Sequence, residues 1–146
     1  KFKSPAKVIA ILSEIVAKGG CLALGVGPTP DGTIQPEVQK ILLNIGSWMN
    51  RNGEAIYNTV TTPHYNDGKT WFTASKNKKT IYAVYAIEDG ETAPQTITWT
   101  VNKPKGKLVL LNTDKAVKYT TNGDKVTVKI PAGTKAEPLA FKFEKK

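Results

Sequence analysis

The feature that most constrains this chain is a change of hydrophobic period near Tyr57. Before it, Val8, Leu12, Ile15 and Val16 recur at helical spacing, with Ile9 and Ile11 widening the stripe. Val38, Ile41, Leu42, Ile45, Trp48 and Met49 form a second such stripe. After it the period is two: Ile97, Trp99 and Val101 alternate with Thr96, Thr98 and Thr100, Val126, Val128 and Ile130 with Lys125, Thr127 and Lys129, and Leu139, Phe141 and Phe143 with Ala140, Lys142 and Glu144. A stripe at 3.6 residues buries one side of a helix, whereas strict alternation buries one face of a strand. The spacing therefore predicts a helical part over residues 1–57 and a β-rich part over 58–146, an α+β chain.

Local signals sharpen both parts. Ser4-Pro5 is suited to open a helix near residues 5–18, which Gly19-Gly20 stops. A second helix is expected over 36–51, ended by Asn52-Gly53. Between them, Cys21–Val26 is apolar without alternation, the pattern of a parallel strand buried on both faces, and Gly27–Thr33 is rich in turn residues. In the β part, Asn122-Gly123 is a strong hairpin signal. Trp71–Ala74, Thr80–Ile87 and Leu108–Leu111 are further strand candidates, so roughly seven strands read as an antiparallel β-sandwich.

Helix, strand and helix make a piece of a β/α fold, but one parallel strand does not close a core. Residues 1–57 are thus expected to be the end of a larger β/α domain, packing on upstream sequence or on a partner chain. A start at Lys1 without a signal peptide agrees with a processed or truncated beginning.

Charge narrows the partners. The chain holds 21 basic and 12 acidic residues, a net charge of +9. Only Arg51 is an arginine, and phosphate and base readout favour arginine forks, so the scattered lysines read as a solubilising surface and no nucleic-acid partner is expected. No apolar run approaches membrane-spanning length, and no membrane partner is expected. The single cysteine, Cys21, allows no internal disulfide and is expected to act as a small apolar residue in the buried strand.

The string Gly19-Gly20-Cys21-Leu22-Ala23-Leu24-Gly25-Val26-Gly27-Pro28-Thr29-Pro30-Asp31-Gly32-Thr33-Ile34 resembles the "GGNLLLNVGPTxDGTI" stretch of the family 29 glycoside hydrolases, the α-L-fucosidases. Ile45-Gly46-Ser47-Trp48-Met49-Asn50-Arg51-Asn52-Gly53-Glu54-Ala55-Ile56-Tyr57 is similar to that family's last barrel helix and its exit, and Trp71-Phe72-Thr73 and Ile81-Tyr82-Ala83 to the opening strands of its C-terminal domain. Cys21 and Gly25 stand where the family usually has asparagines. The resemblance implies that residues 1–57 are the last helix–strand–helix of a (β/α)8-like barrel and 58–146 a C-terminal β-sandwich. It further implies a parent hydrolase that removes terminal α-L-fucose from glycans with retention, and a periplasmic, secreted or lysosomal place. In the family the nucleophilic aspartate and the acid/base glutamate precede the matching region, so no catalytic residue is expected in this chain and the piece alone is expected to be inactive.

The acidic residues support that expectation. Retaining glycosidases need two carboxyl groups about 5–5.5 Å apart. Of the four acidic residues in 1–57, Glu14 and Glu37 fall in helices and Glu54 just past one, which leaves Asp31 on the loop after the predicted strand, the active-site side of a β/α barrel. Asp31 and neighbouring Thr29 are the candidate substrate-binding residues, against the plainer reading of Asp31-Gly32 as a turn. Trp71 is the candidate sugar-stacking aromatic, while Trp99 lies on the apolar side of its alternation and belongs in the core. His64 sits in a linker-like segment. No metal site and no cofactor are expected. The alternative from another class is a non-catalytic carbohydrate-binding or scaffolding β-sandwich with a short helical leader.

Overall fold

The computed structural model of the protein describes residues 2–145. Helix α1 spans Pro5–Ala17 and α2 spans Pro36–Asn52, followed by a 3-10 turn at Gly53–Ala55. Ser4 caps α1 by accepting the Lys7 amide at 3.1 Å. At its other end the Gly20 amide reaches back to the Ile15 carbonyl (2.8 Å) and the Gly19 amide to that of Val16 (2.9 Å). Gly19 sits there at φ +84°, a left-handed cap that satisfies the last carbonyls and that a side chain would strain.

The rest is antiparallel sheet. The strands are β1 (Thr59–Val60), β2 (Asn66–Asp67), β3 (Thr70–Ser75), β4 (Thr80–Tyr85), β5 (Thr96–Trp99), β6 (Pro104–Leu110), β7 (Lys115–Val117), β8 (Tyr119–Asn122), β9 (Lys125–Lys129) and β10 (Leu139–Lys145). A seven-stranded sheet runs β1-β3-β4-β10-β6-β7 with β2 on β3, and a three-stranded sheet runs β5-β9-β8. Phe72, Ala83, Leu110 and Phe141 of the large sheet share one core with Ile97, Trp99, Val126 and Val128 of the small one. The two sheets thus face each other, the arrangement expected of a sandwich. Trp99 fills its centre, 5.8 Å from the Phe72 ring and 6.0 Å from those of Phe141 and Phe143.

The large sheet is buried on its other face too. Tyr82, Val84 and Ala140, together with Leu111 beyond β6, pack on Ile9, Trp48, Ala55 and Ile56, with Leu12, Val16, Ile45 and Met49 at the margin. This corrects one expectation: the α1 stripe is not left wholly for upstream sequence. Val8 and Ile9 are buried and Ile11, Leu12, Ile15 and Val16 half-buried. The physical reason is the small side chain of Ala140 beside Val84, which lets the helices approach a sheet whose central strands are apolar on both faces.

A second expectation is also overturned. Cys21–Val26 forms no strand among the described residues; Cys21, Ala23, Leu24 and Gly25 are exposed, and Leu22 and Val26 half-buried. Cys21 is therefore a surface thiol here rather than a buried apolar residue. A strand exists only through pairing, and no described strand lies beside this segment to satisfy its backbone.

Candidate functional site

Asp31 and Thr29 are brought together in one hydrogen-bonded loop. The Thr29 amide donates to the Thr33 carbonyl at 2.8 Å, and the Gly32 amide to the Thr29 carbonyl at 2.8 Å. The Asp31 carboxylate accepts from the Thr29 hydroxyl, from the Thr33 hydroxyl at 3.0 Å and from the Thr33 amide at 3.4 Å. Bonds from the Thr29 hydroxyl, then the Thr33 hydroxyl and amide, hold the Asp31 carboxyl below its ordinary range. A carboxylate fixed in its charged form serves as an acceptor, not as a proton donor near neutral pH. Gln39 Nε2 donates to the Ile34 carbonyl at 2.6 Å and ties the loop to the first turns of α2.

The loop's place follows from the helices. Phe2, Lys3 and Val8 at the start of α1 share a cleft of about 220 Å³ with Val38, Ile41 and Leu42 at the start of α2, and Leu24–Val26 lie between them. Both helices therefore begin at the end of the molecule that carries Asp31. Trp71 is not brought there. Its half-buried ring lies 5.3 Å from Lys18 Nζ, beyond the finish of α1, and a 13-residue helix separates its two ends by about 20 Å. Lys18 also pairs with Glu14 at 2.6 Å, so the ring has a cation of its own.

Residues that sequence reasoning left without a role form the joint between helices and sheet. Arg51 grips Glu137 through Nη1–Oε1 at 2.5 Å and Nη2–Oε2 at 3.1 Å. Asn112 Nδ2 donates to Glu137 Oε1 at 3.1 Å while its Oδ1 accepts the Ala140 amide at 2.9 Å. Trp48 Nε1 donates to the Pro138 carbonyl at 2.8 Å. Burial alone pushes the Glu137 carboxyl up, but bonds from Arg51, Asn112 and Lys135 more than offset it and leave it lowered. Likewise Glu54 accepts Tyr82 Oη at 2.8 Å and is paired with Lys142. Burial and then the Glu54 bond push the Tyr82 phenol up, so it stays a donor. The signal was available in part: Glu54 and Arg51 flank the stop of α2, but their partners lie 28 or more residues away.

His64 is exposed, and its carbonyl accepts from Thr62 Oγ1 at 2.8 Å and Asn102 Nδ2 at 2.7 Å. It anchors the connection between β1 and β2 to the turn after β5. Among the described residues, no three His, Cys, Asp or Glu side chains gather as a metal ion requires. Nor, among the described residues, is any helix long and apolar enough to cross a membrane.

Comparison with known proteins agrees with this anatomy. The α-L-fucosidase family model matches residues 1–54. The plasma α-L-fucosidase of Rattus norvegicus is 34% identical over 128 residues, covering 72% of this chain. The α-L-fucosidase of Branchiostoma floridae is 30% identical over 131 residues, covering 87% of it. Among solved structures, a GH29 α-L-fucosidase from Bacteroides thetaiotaomicron, trapped as a covalent intermediate with 2-fluoro-fucosyl fluoride, is 27% identical with a TM-score of 0.79 over 100% of this chain. The chain spans 28% of the length of each of these two curated relatives and 33% of the solved structure. Sequence match on the helical part and structural likeness over the whole chain lead to one assignment: the chain belongs to the α-L-fucosidases of glycoside hydrolase family 29, as a C-terminal part.

Proposed function

We propose that this chain is the C-terminal portion of a retaining glycoside hydrolase that removes terminal α-L-fucose from glycans. Residues 1–57 supply the closing helix–strand–helix of a (β/α)8-like barrel and residues 58–146 a β-sandwich that holds it. The observation that carries this reading is the state of Cys21–Val26. An apolar segment lies between two helices that start at the same end, runs into the Asp31 loop, and lacks strand neighbours among the described residues. Barrel strands supplied by the parent's earlier sequence fit it.

In this reading the parent's two catalytic carboxyl groups lie outside the chain, because double displacement needs a nucleophile and a second carboxyl at short, fixed separation. At the helix-start end Asp31 is held by Thr29 and Thr33 of its own loop, and Asp89 accepts from Ser4 at the cap of α1, so both carboxylates are already engaged. Asp31 and Thr29 face the substrate end of the barrel and shape its rim, while Trp71, at the opposite end, belongs to the joint. The solved relative's fucosyl ligand supports a fucosylated glycan as substrate, and relatives named for plasma support an extracytoplasmic place.

The test is hydrolysis of an aryl α-L-fucoside, with the anomer of the first product followed by NMR. The full-length parent is expected to release fucose with retention, and residues 1–146 alone to release none. Inversion in the parent, or turnover by the isolated chain, contradicts the proposal. Binding of fucosylated glycans by a parent that never cleaves them establishes the binding-module reading instead.

A further inference from the structure

A second surface stands apart from the Asp31 loop, on the outer face of the small sheet. The registers of β5, β9 and β8 set Thr96 opposite Lys129, Thr98, Thr127 and Thr120 in one row across three strands, and Lys125 opposite Asn122. These side chains alternate with Ile97, Trp99, Val126 and Val128, which point into the core, so they share the outward face. Lys118 stands just before β8 and its carbonyl accepts the Lys129 amide at 2.9 Å. A shallow trough of about 380 Å³ runs over this face, lined by Thr96, Lys118, Tyr119, Thr120, Thr127 and Lys129.

The charge here is one-sided. β5, β8 and β9 contain no acidic residue, and residues 95–135 hold eight lysines against Asp114 and Asp124. Among the described residues, Lys118, Lys125 and Lys129 make no ion pair. The trough's lining is mainly apolar and includes Tyr119, which suits the C–H faces of sugar rings, while the unpaired ammonium groups of Lys118 and Lys129 match anionic substituents. Double-stranded nucleic acid fits less well, since Arg51 is committed to Glu137 and lysine offers only a point charge.

We propose that this face binds a linear anionic polysaccharide, one whose sugars carry carboxylate or sulfate groups, and so tethers the protein to a polymer remote from the Asp31 loop. The inference does not depend on the fucosidase reading. Binding of the full chain to polygalacturonate, dextran sulfate, neutral dextran and a DNA duplex, measured by calorimetry, tests it. The expectation is binding to at least one anionic glycan and none to dextran, the two anionic arms separating carboxylate from sulfate recognition. The double variant Lys118→Gln/Lys129→Gln should bind about tenfold more weakly, with a shallower dependence on salt. The matched control Lys76→Gln/Lys79→Gln, at the β3–β4 turn, should change affinity by less than about twofold. Equal weakening in both variants, equally tight binding of the duplex, or no binding to either anionic glycan overturns the proposal.

Discussion

Trp99 and Leu24 are both apolar residues within apolar patterns, yet Trp99 is 1% exposed and Leu24 is 46% exposed. The difference lies in what each segment brings with it. β5 alternates and finds β9 along its edge and the rings of Phe72, Phe141 and Phe143 against its inner face. Cys21–Val26 is apolar on both sides and needs neighbours on both, which the described chain does not supply. Alternation is a self-contained instruction within one sheet, whereas an unbroken apolar run is an instruction addressed to several other strands.

Substitutions can break or sharpen that contrast. The largest expected effect is Trp99→Ala, which empties the centre of the sandwich and should cost about 3–5 kcal/mol in chemical denaturation of this chain. Leu24→Ala is its counterpart and should cost about 0.5 kcal/mol or less here, but several-fold more in the full-length parent. Equal and small effects of Leu24→Ala in both proteins would show that the segment stays uncovered.

The joint comes next. Arg51→Ala leaves the buried Glu137 carboxylate with Asn112 and Lys135 only, and should cost about 1.5–3 kcal/mol. The linkage with pH has a definite sign. Because Glu137 and Glu54 have lowered folded-state values, they bind fewer protons folded than unfolded between the two values. Their contribution is complete above the ordinary glutamate range near pH 4.3 and is lost as the pH falls through the folded values. Denaturation midpoints measured from pH 7 down to pH 3 should decline less steeply in a Glu137→Gln variant than in the wild type. A smaller effect, about 1 kcal/mol, is expected for Tyr82→Phe, which removes one hydrogen bond to Glu54. Smaller again, Lys18→Gln removes the cation beside Trp71 and should lower the denaturation midpoint at pH 7 only slightly.

Much of the fold was legible before the structure. Helices expected near 5–18 and 36–51 appear as Pro5–Ala17 and Pro36–Asn52, and the period-two segments around Trp99, Val128 and Phe141 are strands. β1, β2 and β7 were not legible, being two or three residues long and too short to show a period. Burial of the α1 stripe against the sheet was hidden because Ala140 and Tyr82 occupy the face that alternation marks as outward. The turn residues of Gly27–Thr33 marked the loop of Asp31 and Thr29, and the bonds from Thr29 and Thr33 to the Asp31 carboxylate close it. Trp71's separation from them depends on helix length and direction, which no local pattern encodes.

The central claim is that residues 20–29 are part of a β/α barrel completed by earlier sequence. Amide hydrogen exchange of Gly20–Thr29, compared between this 146-residue chain and the full-length parent, tests it most directly. The account predicts exchange near the unprotected rate in the isolated chain and slowing by orders of magnitude in the parent, where flanking strands take up the amides. Equally fast exchange in both proteins would contradict it.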